Sequence, residues 1–125
     1  MPFHLNRLEI IGRLGHDPEM RFLPEGQAAT RFSVATDRPA KPGAEAETDW
    51  HQVVCFGKLA EFAGQYLAKG RLVFVAGRLT YRQREDKQGQ KRRSTEIVAR
   101  ELILLDRRPE AEPQEPAGGD DDLPF

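Results

Sequence analysis

One segment of this chain breaks the period of everything around it. Leu59, Phe62, Ala63, Tyr66 and Leu67 fall at i, i+3, i+4, i+7 and i+8, the stripe of an amphipathic helix. Gly57 precedes the stripe and Gly70 follows it, positions that suit the two ends of a helix. On either side the apolar residues recur with period two, the signature of strands. Leu8, Ile10, Gly12 and Leu14 alternate with Arg7, Glu9, Ile11 and Arg13; Ala28–Thr36 carries Phe32 and Val34; Trp50–Phe56 is rich in aromatic and β-branched residues. Leu72–Arg84 returns to strand with a bend at Gly77, and Lys91–Leu105 runs back beside it. Gly15–Pro18, Leu23–Gly26, the long loop Pro39–Glu47 and the polar tip Glu85–Gln90 supply the breaks.

Three strands, one short helix and two strands predict an all-β domain with a single helix. A five-stranded Greek-key barrel with its helix between strands three and four is the OB-fold, a frequent oligonucleotide binder. An SH3-like barrel, which lacks that helix, is the structural alternative. The 125 residues are enough for one such domain and one modest core. No apolar run approaches the roughly 20 residues of a membrane span. A single cysteine forbids an intrachain disulfide, and a reducing cytoplasm is the expected location.

The net charge of −1 conceals an asymmetry. Six of the 20 acids, and none of the bases, lie between Pro109 and Phe125; the preceding residues keep 19 bases against the remaining 14 acids. A basic body with an acidic tail points to a polyanionic ligand, although a solvated surface with a solubilising extension has the same composition. Residues 1–107 read as the folded domain. Residues 108–119, with three prolines and no large apolar side chain after Arg108, predict a disordered linker. Asp120–Phe125 forms an acidic tip ending in Leu-Pro-Phe.

Nothing in the sequence supports catalysis, and no cofactor or metal is expected. There is no phosphate-binding G-x-x-x-x-G-K-[ST] loop, and His4, His16 and His51 have no partner histidine at i+3 or i+4. Asp17 reads as a turn residue beside Pro18, and Cys55 as a buried thiol among Val53, Val54 and Phe56. In Trp50–Phe56, alternation puts Trp50, Gln52, Val54 and Phe56 on one face and His51, Val53 and Cys55 on the other. If the second face meets the core, Trp50 and Phe56 are exposed beside Lys58 and suited to stacking on bases; if the first does, they are core aromatics. Eight bases against two acids in residues 71–93, with Arg78, Arg82 and Arg84 on one strand face, would form an electrostatic track or a solvated hairpin.

Several segments together resemble the bacterial single-stranded DNA-binding protein family. Asn6–Glu19 is similar to its opening strand, Trp50–Glu61 to its W-H-x-V-x-x-F-G-K-L-A-E segment, Tyr66–Gly70 to the helix end, and Asp120–Phe125 to its acidic D-D-D-[IL]-P-F terminus. The resemblance implies a homotetramer of OB-folds that wraps single-stranded DNA without sequence preference in replication, recombination and repair. It implies stacking by Trp50 and Phe56, and phosphate contacts from Arg21, Lys58, Lys69 and Arg82; Arg84 joins these DNA-binding candidates by its charge on the same strand face as Arg82. It further implies a subunit contact near His51, and docking of replication and repair proteins on Asp120, Asp121, Asp122, Leu123, Pro124 and Phe125. The chain departs from the family where aromatics are frequent after strand two and at the end of strand four. The Arg38–Lys41 region and Arg84 stand there, which implies thinner stacking and heavier phosphate contact. A short linker limits the reach of the tail. Two other readings compatible with the fold are an interaction hub that binds DNA weakly and an RNA-directed OB module.

Overall fold

A computed structural model describes residues 3–106. Along the chain run β1 (Leu8–Leu14), β2 (Glu19–Phe22), β3 (Ala28–Asp37), β4 (Thr48–Phe56), α1 (Lys58–Tyr66), β5 (Leu72–Glu85) and β6 (Lys91–Leu104). The sheet order is β1-β5-β6-β4-β3-β2, and a further pairing of β1 with β3 closes five of the strands into a barrel. Closure rests on Arg13 opposite Ala35 and Leu14 opposite Val34. β4 and β6 run parallel, at Val53 with Ile97 and Val54 with Val98, while the other described pairs are antiparallel. This is the OB-fold expected from the element order, with α1 between β4 and β5.

β2 has no counterpart in the alternation of the sequence. Its four residues are all exposed, so no apolar alternation marks it. Pairing creates it: Glu19–Phe22 lies antiparallel to Ala28–Arg31, continuing the line that β1 begins along β3. A tight turn joins the two strands, with the Leu23 amide donating to the Gln27 carbonyl at 2.8 Å.

The core follows the period-two pattern. Leu14, Phe32, Val34, Val53, Cys55, Val73, Val75, Ile97, Ala99 and Leu102 point inward and are buried. Burying each of the larger ones contributes about 1.5–3 kcal/mol relative to exposure. Ala60 and Ala63 from α1, with Leu67 just beyond its end, close one end of the barrel; the small alanines let the helix approach the strands. The buried Thr30 hydroxyl donates to the Ala60 carbonyl at 2.7 Å, which satisfies two polar groups inside that contact. At the bend foreseen near Gly77 the register with β6 shifts between Ala76 and Gly77, a β-bulge. A Cβ on Gly77 would run into the Val98 carbonyl oxygen, so the bulge requires glycine.

A buried ion pair ties the end of β6 to the start of β5. Arg71 is only 5% exposed. Its Nε donates to Asp106 Oδ1 at 2.9 Å, and its Nη groups donate to the carbonyls of Tyr66 and Asp106. The Leu72 amide donates to Asp106 Oδ2 at 3.0 Å, and Arg13 approaches the same oxygen at 3.5 Å. Burial raises the Asp106 pKa, but the hydrogen bonds from Arg71 and Leu72 and the charges of Arg71 and Arg13 outweigh it, leaving the carboxyl below its ordinary value. The domain boundary at 107, the linker 108–119 and the tip Asp120–Phe125 lie outside the described residues. Among the described residues no helix is long and apolar enough to cross a membrane.

Candidate single-stranded nucleic-acid interface

β4 resolves the two alternatives left open by its alternation. Val53 and Cys55 belong to the core, so the opposite parity faces out. Trp50 is 54% and Phe56 39% exposed. They stand six positions apart, about 20 Å along the strand. Val54 shares their parity yet is buried, paired with Arg31 on β3 and Val98 on β6. The outer face therefore presents two separated rings rather than a continuous aromatic stripe.

The Trp50 ring has a defined seat. A Cβ on Gly15 would overlap the six-membered edge of the indole, so Trp50 lies against bare backbone. His16 flanks it, with ring centroids 6.5 Å apart and planes tilted by 42°.

Beside these rings, Arg21, Arg31, Gln52, Arg82, Arg84, Ser94, Thr95 and Glu96 line an open groove of about 500 Å³. Three sequence-predicted cations, Arg21, Arg82 and Arg84, thus come together from β2 and β5. Arg31 was not singled out in the sequence, although alternation with Thr30 and Phe32 already turned it outward. Glu96 carries no sequence signal of its own. It is 8% exposed and accepts hydrogen bonds from Arg31 and, at 3.5 Å, from Arg82. A carboxylate at the groove floor holds two guanidinium groups in place and leaves the lining with an excess of positive charge. Lys58, at the start of α1, and Lys69, beyond its end, do not line this groove.

Elsewhere, apparent candidates have structural duties. Asp17 accepts the Lys69 backbone amide at 2.9 Å, which anchors the turn before β2. Cys55 is fully buried, and burial pushes its thiol up to about 12. Arg38, in the loop where heavier phosphate contact is expected, carries two exposed ion pairs. Its Nη2 donates to Asp49 Oδ1 and its Nη1 to Glu47 Oε1, both at 2.9 Å. The hydrogen bond from Arg38 holds the Asp49 carboxyl below its ordinary value against a desolvation cost. At the hairpin tip Asp86 accepts the Gln88 and Gln90 amides at 2.9 Å and Arg92 at 3.1 Å. Among the described residues no group of three or more His, Cys, Asp or Glu side chains could hold a metal ion.

His51 has inward parity and lies at the barrel mouth away from α1. Its Nε2 shares a 2.8 Å hydrogen bond with Thr36 Oγ1. It lines a mostly apolar cavity of about 510 Å³ with Leu8, Ile10, Leu79, Ile97 and Trp50.

Comparison with known proteins agrees with this geometry. The model of the single-strand binding protein family matches residues 5–105. Two curated single-stranded DNA-binding proteins of Neisseria meningitidis, from a serogroup A and a serogroup B strain, are each 46% identical over 109 residues. The match covers 85% of this chain and 63% of each relative, so the chain spans less than two thirds of their length. A solved structure described as a Plasmodium falciparum SSB complex with ssDNA aligns with a TM-score of 0.78 at 32% identity, covering 85% of this chain and 99% of that one. On the family match and the identity to these relatives, the chain belongs to the single-strand binding protein family.

Proposed function

We propose that this protein binds single-stranded DNA without sequence specificity, as a non-catalytic coat during replication, recombination and repair. The observation that carries the reading is the exposed pair Trp50 and Phe56 on the strand that borders the arginine groove. Rings stack on any base, and guanidinium groups meet phosphates whatever the sequence. Phe56 and Trp50 take the stacking roles; Arg21, Arg31, Arg82 and Arg84 take phosphates in the groove, and Lys58 and Lys69, which lie outside it, take further phosphates along the strand's path. The single-stranded DNA in the related solved complex supports the choice of ligand. Fluorescence anisotropy of labelled oligo-dT tests it: log affinity should fall linearly with log salt at a slope of about −0.7 per phosphate neutralised. No binding at low salt would reject the reading, and a clear preference for matched RNA would favour an RNA-directed module.

The proposal extends to a homotetramer with a cytoplasmic, nucleoid-associated location. One OB-fold covers roughly 4–16 nucleotides, so wrapping a longer strand needs several in one particle. Two surfaces support self-association. β1 pairs with β5 from Leu8 to Arg13 but with β3 only at Arg13 and Leu14, which leaves much of one edge open. On the outer face, Ile11 lies opposite Phe74 and Phe74 opposite Ile103, an apolar ladder with exposed ends. Light scattering should give a mass near four chains, with Ile11→Glu and His51→Lys each lowering it. A wild-type monomer at micromolar concentration would contradict the assembly.

Recruitment of replication and repair proteins by Asp120–Phe125 completes the proposal. Three aspartates steer encounter with a basic rim, and Leu123 and Phe125 offer apolar anchors beside them.

A further inference from the structure

We propose that the β5–β6 hairpin contacts single-stranded nucleic acid on both faces, with Tyr81 as an additional base-stacking ring on the face turned away from the arginine groove. This rests on the single-strand-binding reading above and adds a subsite to it.

Strand parity separates the two faces. Arg82 and Arg84 line the groove together with Ser94. Tyr81 has the opposite parity from Arg82 and Arg84 and so points to the other side of the ribbon; its partner in register, Thr95, borders both the groove and the barrel-mouth cavity. Leu79, two residues before Tyr81, and Thr95 line the barrel-mouth cavity. Tyr81 thus stands where the apolar interior gives way to the free arm of the hairpin, and it is 56% exposed. The guanidinium carbon of Arg93 lies over its ring, 4.9 Å from the centroid. Arg93 pairs with Gln83, so the contact is a diagonal one across the two strands.

That arrangement has the parts of a single-strand contact. The cation orients the ring, and the exposed remainder is open to a stacked base. Lys91, of the same parity as Arg93 on β6, adds a second positive charge for a neighbouring phosphate. Among the described residues neither Lys91 nor Arg93 is in an ion pair, whereas Arg92 on the groove side is held by Asp86 at 3.1 Å. A strand that crosses the edge of this two-stranded ribbon meets the groove arginines on one side and Tyr81 on the other.

The test is a titration of labelled oligo-dT, longer than the roughly 4–16 nucleotides that one OB-fold covers, into wild type, Tyr81→Ala and Tyr81→Phe. Loss of the ring should weaken binding roughly tenfold, the scale of one base–aromatic stack, and Tyr81→Phe should bind as wild type does. As a direct readout, Tyr81→Trp in a Trp50→Phe background should lose emission when oligo-dT binds. Equal affinity of Tyr81→Ala and wild type, or unchanged emission of the relocated tryptophan at saturation, would overturn the subsite while leaving the groove reading in place. Failure of wild type to bind oligo-dT at all would overturn both.

Discussion

Replacing Arg21 and Arg84 together by glutamate should weaken oligo-dT binding about 100- to 1,000-fold at low salt and flatten the salt dependence by about 0.7 for each phosphate that is no longer neutralised. The two arginines reach the same groove from β2 and β5, and both are exposed. Among the described residues neither has an ion-pair partner, so reversal removes attraction and adds repulsion without breaking an internal ion pair. Arg82 is a poorer choice. Its Nη1 lies 3.5 Å from the Glu96 carboxylate, and a glutamate there would set two acids together in a half-buried site. Phosphate contacts carry no sequence information, so the weakening should be equal for oligo-dT and oligo-dC. Anisotropy titrations at two salt concentrations measure both effects. An unchanged Kd would show that the groove does not meet the strand.

Asp106→Ala should cost about 3 kcal/mol of stability, because it leaves the buried Arg71 guanidinium without its counter-charge. Denaturant unfolding should show the loss as a lower midpoint at unchanged slope, and the melting temperature should fall by more than about 10 °C. The pH dependence gives a second check. The folded-state pKa of Asp106 is lowered, so its contribution to stability is fully present above the ordinary carboxylate value. It is lost as pH falls through that value toward the lowered one. Asp106→Asn should therefore flatten the acid side of the stability profile. A variant as stable as wild type would mean that the clasp contributes nothing.

Alternation and one helical stripe sufficed for the barrel because each barrel strand has one face that must meet the core. Val53 and Cys55 illustrate the logic: once two inward residues are identified, Trp50 and Phe56 are turned outward. β2 escaped that logic, since Met20 and Phe22 are exposed and the strand exists only through its pairing with β3. The groove was half legible. Charge and resemblance point to Arg21, Arg82 and Arg84, but nothing in the linear order places β2 beside the far end of β5. Arg31 was visible as an outward residue, yet its value depends on Glu96, which is 65 positions away and meets it only after closure. Arg38 shows the converse. It reads as a lone basic loop residue, and only the fold sets Asp49 and Glu47 beside it.

The central claim is that the outer face of β4 meets single-stranded DNA, and Trp50 reports on it alone because the chain has one tryptophan. The measurement is intrinsic tryptophan emission during titration with oligo-dT, followed beside anisotropy of the same labelled strand. Stacking of a base on the exposed indole should quench nearly all of the emission in step with binding, and Trp50→Ala should weaken affinity by about 1–3 kcal/mol. Emission that stays unchanged while anisotropy reports saturation would contradict the account, because the strand would then be bound somewhere other than this face.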